Sequence, residues 1–267
     1  MREASTVELH HVLEGPEDAP VLVMANSLGT TLHMWDEQAS AVRDLFRVLR
    51  YDHRGHGGSP VPPGPYAIED LGRDALALLD GLGIERFSWC GLSIGGMVGM
   101  WLASEAPERV ESLVLCCTSA LLGPRELWDE RIRVAREEGM DALVENVVAR
   151  WFTPDFFSGE PEKVGKVEKA SRMLRETVPE GYAGCCAAIR EMDLRDRLGG
   201  IRAPTLVLSA AEDPATPPEH GELIRDSITG AGFEVIPNAS HLANMERPEA
   251  VNRVILAHLA PVARREP

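Results

Sequence analysis

Three residues of this chain have the types and the order that acyl chemistry needs: Ser93, Asp213 and His241. Ser93 lies in Gly91-Leu92-Ser93-Ile94-Gly95, where an apolar run (Phe87-Ser88-Trp89-Cys90) gives way to a small-residue helical stretch from Gly96 to Ala103. A serine on so sharp a strand-to-helix turn has a strained backbone, and small residues on either side relieve the crowding. Its hydroxyl is a poor nucleophile near neutrality, so a base must take its proton and a third group must hold that base in the right tautomer. Asp213 follows the apolar run Thr205-Leu206-Val207-Leu208-Ser209 in the loop Ala210-Ala211-Glu212-Asp213-Pro214, and Glu212 is an alternative carboxylate there. His241 lies in Pro237-Asn238-Ala239-Ser240-His241-Leu242, between the last strand and the last helix. Of the other late histidines, His220 begins a surface helix and His258 lies late in the terminal helix. The chain order serine, acid, histidine is that of a nucleophile elbow with its two later partners.

These residues must be brought to one edge of a sheet. Short strand-like runs recur at 7–13, 21–25, 46–51, 87–90 and 112–116, and helical spacing appears over 68–81 and 97–105. This alternation predicts an α/β fold with a mostly parallel central sheet flanked by helices. From 120 to 194 the strands stop and successive helical patterns follow, after which strands resume at 205–209 and 233–236 before a final helix over 248–259. The expected organisation is a core of residues 1–119 and 195–267 with an inserted helical cap, 120–194. Ser93 then falls at the carboxyl edge of the sheet, where ligands of open α/β folds bind. The amide of Ile94, in the first turn of the following helix, faces any oxyanion formed by attack of Ser93, and Leu28, in Ala25-Asn26-Ser27-Leu28-Gly29-Thr30, is the expected second donor.

Composition narrows the classes further. At 267 residues with 44% apolar content the chain can bury a large core. A net charge of −15 opposes binding to nucleic acid. Five cysteines, an odd number with no metal-ligand spacing to histidine, fit a reduced, cytoplasmic protein, and no leader or long apolar run suggests secretion or a membrane span. Neither a metal nor an organic cofactor is required by serine chemistry.

The stretches Tyr51-Asp52-His53-Arg54-Gly55-His56-Gly57-Gly58-Ser59, the Ser93 elbow, and His241-Leu242-Ala243-Asn244-Met245-Glu246-Arg247-Pro248 resemble signature segments of the α/β-hydrolase superfamily. More narrowly, Asn26-Ser27-Leu28-Gly29-Thr30, Met34-Trp35, Gly91 to Met97 and Leu115-Cys116-Cys117-Thr118-Ser119-Ala120 resemble the enol-lactonases of aromatic catabolism, in which Asn-Ser replaces the more common His-Gly. The resemblance implies the α/β-hydrolase fold and hydrolysis of a small-molecule partner, 3-oxoadipate enol-lactone, through a serine acyl-enzyme. Such a substrate carries a carboxymethyl anion, so Arg133 and Arg150 are candidate contacts, with Trp128 and Trp151 as walls for the lactone ring. A carboxylesterase, a cofactor-free perhydrolase or a carbon–carbon bond hydrolase would use the same triad, and a binding module could keep the fold without turnover. Serine at 93 disfavours dehalogenases and epoxide hydrolases of this superfamily, which need aspartate there. Oligomeric state is not encoded in any of these features.

Overall fold

The computed structural model describes residues 6–264. Seven strands form one sheet: β1 (His11–Glu14), β2 (Val21–Ala25), β3 (Arg47–Tyr51), β4 (Phe87–Leu92), β5 (Val110–Cys116), β6 (Thr205–Ala210) and β7 (Gly232–Ile236). Their spatial order is β1-β3-β2-β4-β5-β6-β7, with β1 antiparallel and every other pair parallel. Among the described residues ten α-helices lie between or after these strands: α1 (Asp36–Val42), α2 (Ile68–Gly81), α3 (Ile94–Glu105), α4 (Arg125–Glu137), α5 (Asp141–Val148), α6 (Pro161–Glu176), α7 (Pro179–Glu191), α8 (Pro218–Ser227), α9 (Ala243–Glu246) and α10 (Pro248–Ala263).

Strands β4 and β6 are buried at every position, as parallel strands covered by helices on both faces must be. The apolar run 21–25 and the helical spacing over 68–81 match the observed bounds of β2 and α2. The first strand is shorter than the apolar alternation over 7–13 predicts. Upstream of His11 two amides turn to side chains, Val7 donating to Asp74 Oδ1 at 3.0 Å and His10 to Ser59 Oγ at 2.9 Å, while the His10 carbonyl still accepts from the Asp52 amide at 2.9 Å. Four helices, α4 to α7, fill the connection between β5 and β6. No helix among the described residues is long and apolar enough to cross a membrane.

Strand order decides where a site can form. The chain lays β3 on one side of β2 and then places β4 on the other, so the connections leaving β2 and β4 diverge and open a crevice at their carboxyl ends. The loop after β2 carries Leu28, and the turn after β4 carries Ser93. Both therefore reach the same opening without any long-range loop having to fold over it.

Candidate active site

Ser93 occupies the turn between β4 and α3 with φ 56° and ψ −118°, a conformation that costs energy for a residue with a Cβ. The surroundings leave it no alternative. A Cβ on Gly91 would lie 2.2 Å from the Gly95 carbonyl oxygen, and one on Gly95 would lie 2.2 Å from that of Ala25. The Ser93 amide donates to the Cys116 carbonyl at 3.0 Å, and its own carbonyl accepts from Thr118 Oγ1 at 2.7 Å. The Trp89 indole, donating to the Gly95 carbonyl at 3.0 Å, fixes the first turn of α3 against the strand.

The two later residues meet across the loops after β6 and β7. His241 Nδ1 lies 2.8 Å from Asp213 Oδ2, and both are buried. Asp213 also accepts from the amides of Ala215 at 2.7 Å and Thr216 at 3.0 Å, and from Thr216 Oγ1 at 2.7 Å. Burial alone would raise this carboxyl, but the His241 charge and these donors outweigh it and hold it below its ordinary range. A carboxylate there makes His241 Nδ1 the donor and leaves the Nε2 lone pair free, which is the form that accepts a serine proton. Glu212, the alternative acid, is exposed and makes no such contact with His241.

Ser93, His241 and Leu28 line one cavity of about 290 Å³. The amides of Leu28 and Ile94 have no hydrogen-bond partner among the described residues, while their neighbours are tied down. The Gly29 amide donates to His56 Nε2 at 2.9 Å, and the Gly95 amide to the Asn26 carbonyl at 3.1 Å. Two amides without a partner, one on the residue after Ser93 and one in the loop after β2, are free to donate to an oxyanion.

The inserted helices close the cavity. Trp128 from α4 and Trp151 just after α5 are both buried and line it, as does Arg150. Arg133 does not. It is exposed on the outer face of α4, where it pairs with Glu130, Glu137 and Glu138. Its place is taken by Arg131, half-buried, whose guanidinium lies 5.0 Å from the centre of the Trp128 ring. Helical spacing explains the difference, because residue 131 shares a face with 128 at i+3, whereas 133 lies five residues on. Neither Arg131 nor Arg150 has a carboxylate partner among the described residues, and the latter touches only the Pro214 carbonyl at 3.4 Å. Burial and the nearby Arg131 charge push the Arg150 guanidinium down from its ordinary value, against the pull of Asp213.

His220 also lines the cavity, contrary to its reading as a surface residue. Ser119 Oγ donates to the Leu121 carbonyl at 2.6 Å and so accepts from His220 Nδ1 at 2.7 Å, which turns the ring inward. His258 lies elsewhere, bonded to Ser112 at 2.9 Å. All five cysteines are free and buried.

Residues 20–248 match the model of the α/β hydrolase fold family. The chain is 41% identical over 254 residues to 3-oxoadipate enol-lactonase 2 of Acinetobacter baylyi, covering 95% of this chain and 94% of that protein. Among solved structures it is similar to the enol-lactonase of Burkholderia xenovorans LB400, with 43% identity, a TM-score of 0.92, and coverage of 95% of this chain and 97% of that one. A thermophilic esterase from Thermogutta terrifontis, solved with malate bound, is 34% identical with a TM-score of 0.89, covering 96% of this chain and 94% of its own. The chain therefore belongs to the α/β-hydrolase fold family, as a carboxylic ester hydrolase similar over nearly its whole length to the 3-oxoadipate enol-lactonases.

Proposed function

We propose that this enzyme opens 3-oxoadipate enol-lactone (5-oxo-4,5-dihydro-2-furylacetate) to 3-oxoadipate in the β-ketoadipate pathway, with Ser93, Asp213 and His241 as its triad and residues 120–194 as a cap. The observation that carries this reading is the pair of guanidiniums, Arg131 and Arg150, facing the same cavity as Ser93 with no carboxylate partner among the described residues. In a chain of net charge −15, two guanidiniums without an ion-pair partner among the described residues, in a partly buried cavity, suit an anionic ligand. A cavity of about 290 Å³ lies at the small end of ligand sites and suits a compact ring better than a long acyl chain.

The chemistry follows from the proton positions. His241 Nε2 takes the Ser93 proton as Oγ attacks the lactone carbonyl, and the amides of Leu28 and Ile94 receive the charge on the carbonyl oxygen. Collapse breaks the ring C–O bond. The departing oxygen is an enolate, a better leaving group than an alkoxide, and takes the proton back from His241 before the enol becomes the ketone. Water, deprotonated by His241, then attacks the acyl-enzyme, and Ser93 leaves with that proton to give the second carboxylate of the product. Asp213 holds the imidazole tautomer and stabilises the imidazolium throughout.

Loss of enol-lactone ultraviolet absorbance, followed with the native enzyme and with Ser93→Ala, tests the assignment. The native enzyme is expected to exceed the variant by at least about a thousandfold. If it turns over the lactone no faster than Ser93→Ala yet hydrolyses simple aryl esters well, the enzyme is a carboxylesterase instead. Turnover of neither substrate would favour a binding module.

A further inference from the structure

Glu246 is a buried carboxylate, 4% exposed at the end of α9, that the chemistry above leaves without a role. Its two oxygens serve two different parts of the molecule. Oε1 accepts from the Thr153 amide at 2.7 Å and lies 2.7 Å from Thr153 Oγ1, whose single proton it shares with Asp155 Oδ1, also at 2.7 Å, in the inserted segment just after α5. Oε2 accepts from the amide of Ser240, the residue before His241. Two more bonds join the same partners: Ser240 Oγ donates to the Arg150 carbonyl at 2.9 Å, and the Leu242 amide to the Trp151 carbonyl at 3.0 Å. The residues on both sides of His241 are thus bonded to the backbone of Arg150 and Trp151, whose side chains line the cavity. Glu246 is the side chain that closes this ring of contacts.

We propose that Glu246 is a positioning residue that holds the His241 loop and the 150–153 segment of the cap as one unit, so that the general base and the substrate-facing wall keep a fixed distance. The inference rests on the triad reading but not on the identity of the lactone. A carboxylate suits the position because the two backbone amides facing it, of Thr153 and Ser240, can only donate. Its charge strengthens each bond, and a neutral amide in its place presents N–H to at least one other N–H. Misplacing a catalytic group by about 1 Å can cost on the order of a hundredfold in rate.

The test is Glu246→Gln, assayed with the enol-lactone and with a neutral aryl ester, beside amide hydrogen exchange of the native enzyme and the variant. The expected result has two parts. The kcat falls about tenfold to a hundredfold on both substrates because His241 moves. The KM rises several-fold for the lactone alone because Arg150 moves with it. Exchange at the Thr153, Ser240 and Leu242 amides is expected to speed up together. A variant that loses thermal stability but keeps native kcat, KM and exchange at these amides overturns the proposal. If Glu246→Gln does not fold, Thr153→Val, which removes one donor and keeps the backbone bond, is expected to give a smaller change of the same kind, and native kinetics in that variant would overturn it. If the native enzyme turns over neither substrate, the triad reading fails, and exchange alone decides: equal rates at the three amides in native and variant protein contradict the coupling.

Discussion

At the scale of single residues, the proposed triad is read from the sequence because such chemistry demands an order in the chain and a place at strand ends. Ser93, Asp213 and His241 each follow a strand, and the structure brings Asp213 and His241 to 2.8 Å. The choice between two nearby arginines was not legible from charge, since both are cations on one helix. It follows from packing: Arg133 is held on the outer face by three glutamates, while Arg131 shares the inner face with Trp128. Replacing Arg131 by alanine is expected to raise KM for the anionic lactone about tenfold to a hundredfold, the worth of a charge-assisted hydrogen bond, with little change for a neutral ester. Arg133→Ala is expected to leave both KM values within about twofold, because exposed ion pairs contribute little. Steady-state kinetics on the two variants checks both outcomes, and equal effects from 131 and 133 would contradict this assignment of faces.

Elements carry the strain that single residues express. The turn from β4 to α3 holds Ser93 at positive φ because the backbone of the β2 end presses against α3 at Gly95. A methyl group at position 95 has backbone oxygen 2.2 Å away on one side, so Gly95→Ala must push α3 off the sheet. The expected cost is about 1–3 kcal/mol or more, read as a lower midpoint in urea, together with loss of turnover out of proportion to the loss of folded protein. A variant with native stability and native rate would show that the elbow is looser than this geometry. The apolar run of β2 and the helical spacing of α2 mark both elements in full, since a strand buried on both faces reads as a continuous apolar stretch and an amphipathic helix writes its period into the sequence. The apolar alternation overran the start of β1, where the Val7 and His10 amides go to the side chains of Asp74 and Ser59, because such long-range partners leave no local pattern. The inward turn of His220 was hidden for the same reason, depending on Ser119 a hundred positions away.

For the molecule as a whole, acid stability is set in part by a buried histidine outside the catalytic set. His53 donates from Nε2 to the Asn26 carbonyl, and burial, aided by the neighbouring His56, lowers it from 6.5 to about 3. The unfolded chain takes up a proton at this residue near pH 6.5 and the folded chain does not until about pH 3. Stability is therefore lost as pH falls through that window, by up to about 1.4 kcal/mol per unit. His53→Gln, which keeps a donor for the Asn26 carbonyl, is expected to flatten the fall between pH 6.5 and 4.5 in urea titrations, and an unchanged slope would assign the acid sensitivity elsewhere. On the same scale lies the contrast between a strongly acidic protein and a cavity lined by two guanidiniums without an ion-pair partner among the described residues, on which the proposed anionic lactone rests. The most direct test of that claim compares kcat/KM for the enol-lactone with kcat/KM for its methyl ester, in which ring and leaving group are the same and only the charge is masked. A preference for the free carboxylate of about tenfold or more is expected in the native enzyme, collapsing in Arg131→Ala. Equal kcat/KM for the two lactones in the native enzyme would contradict it.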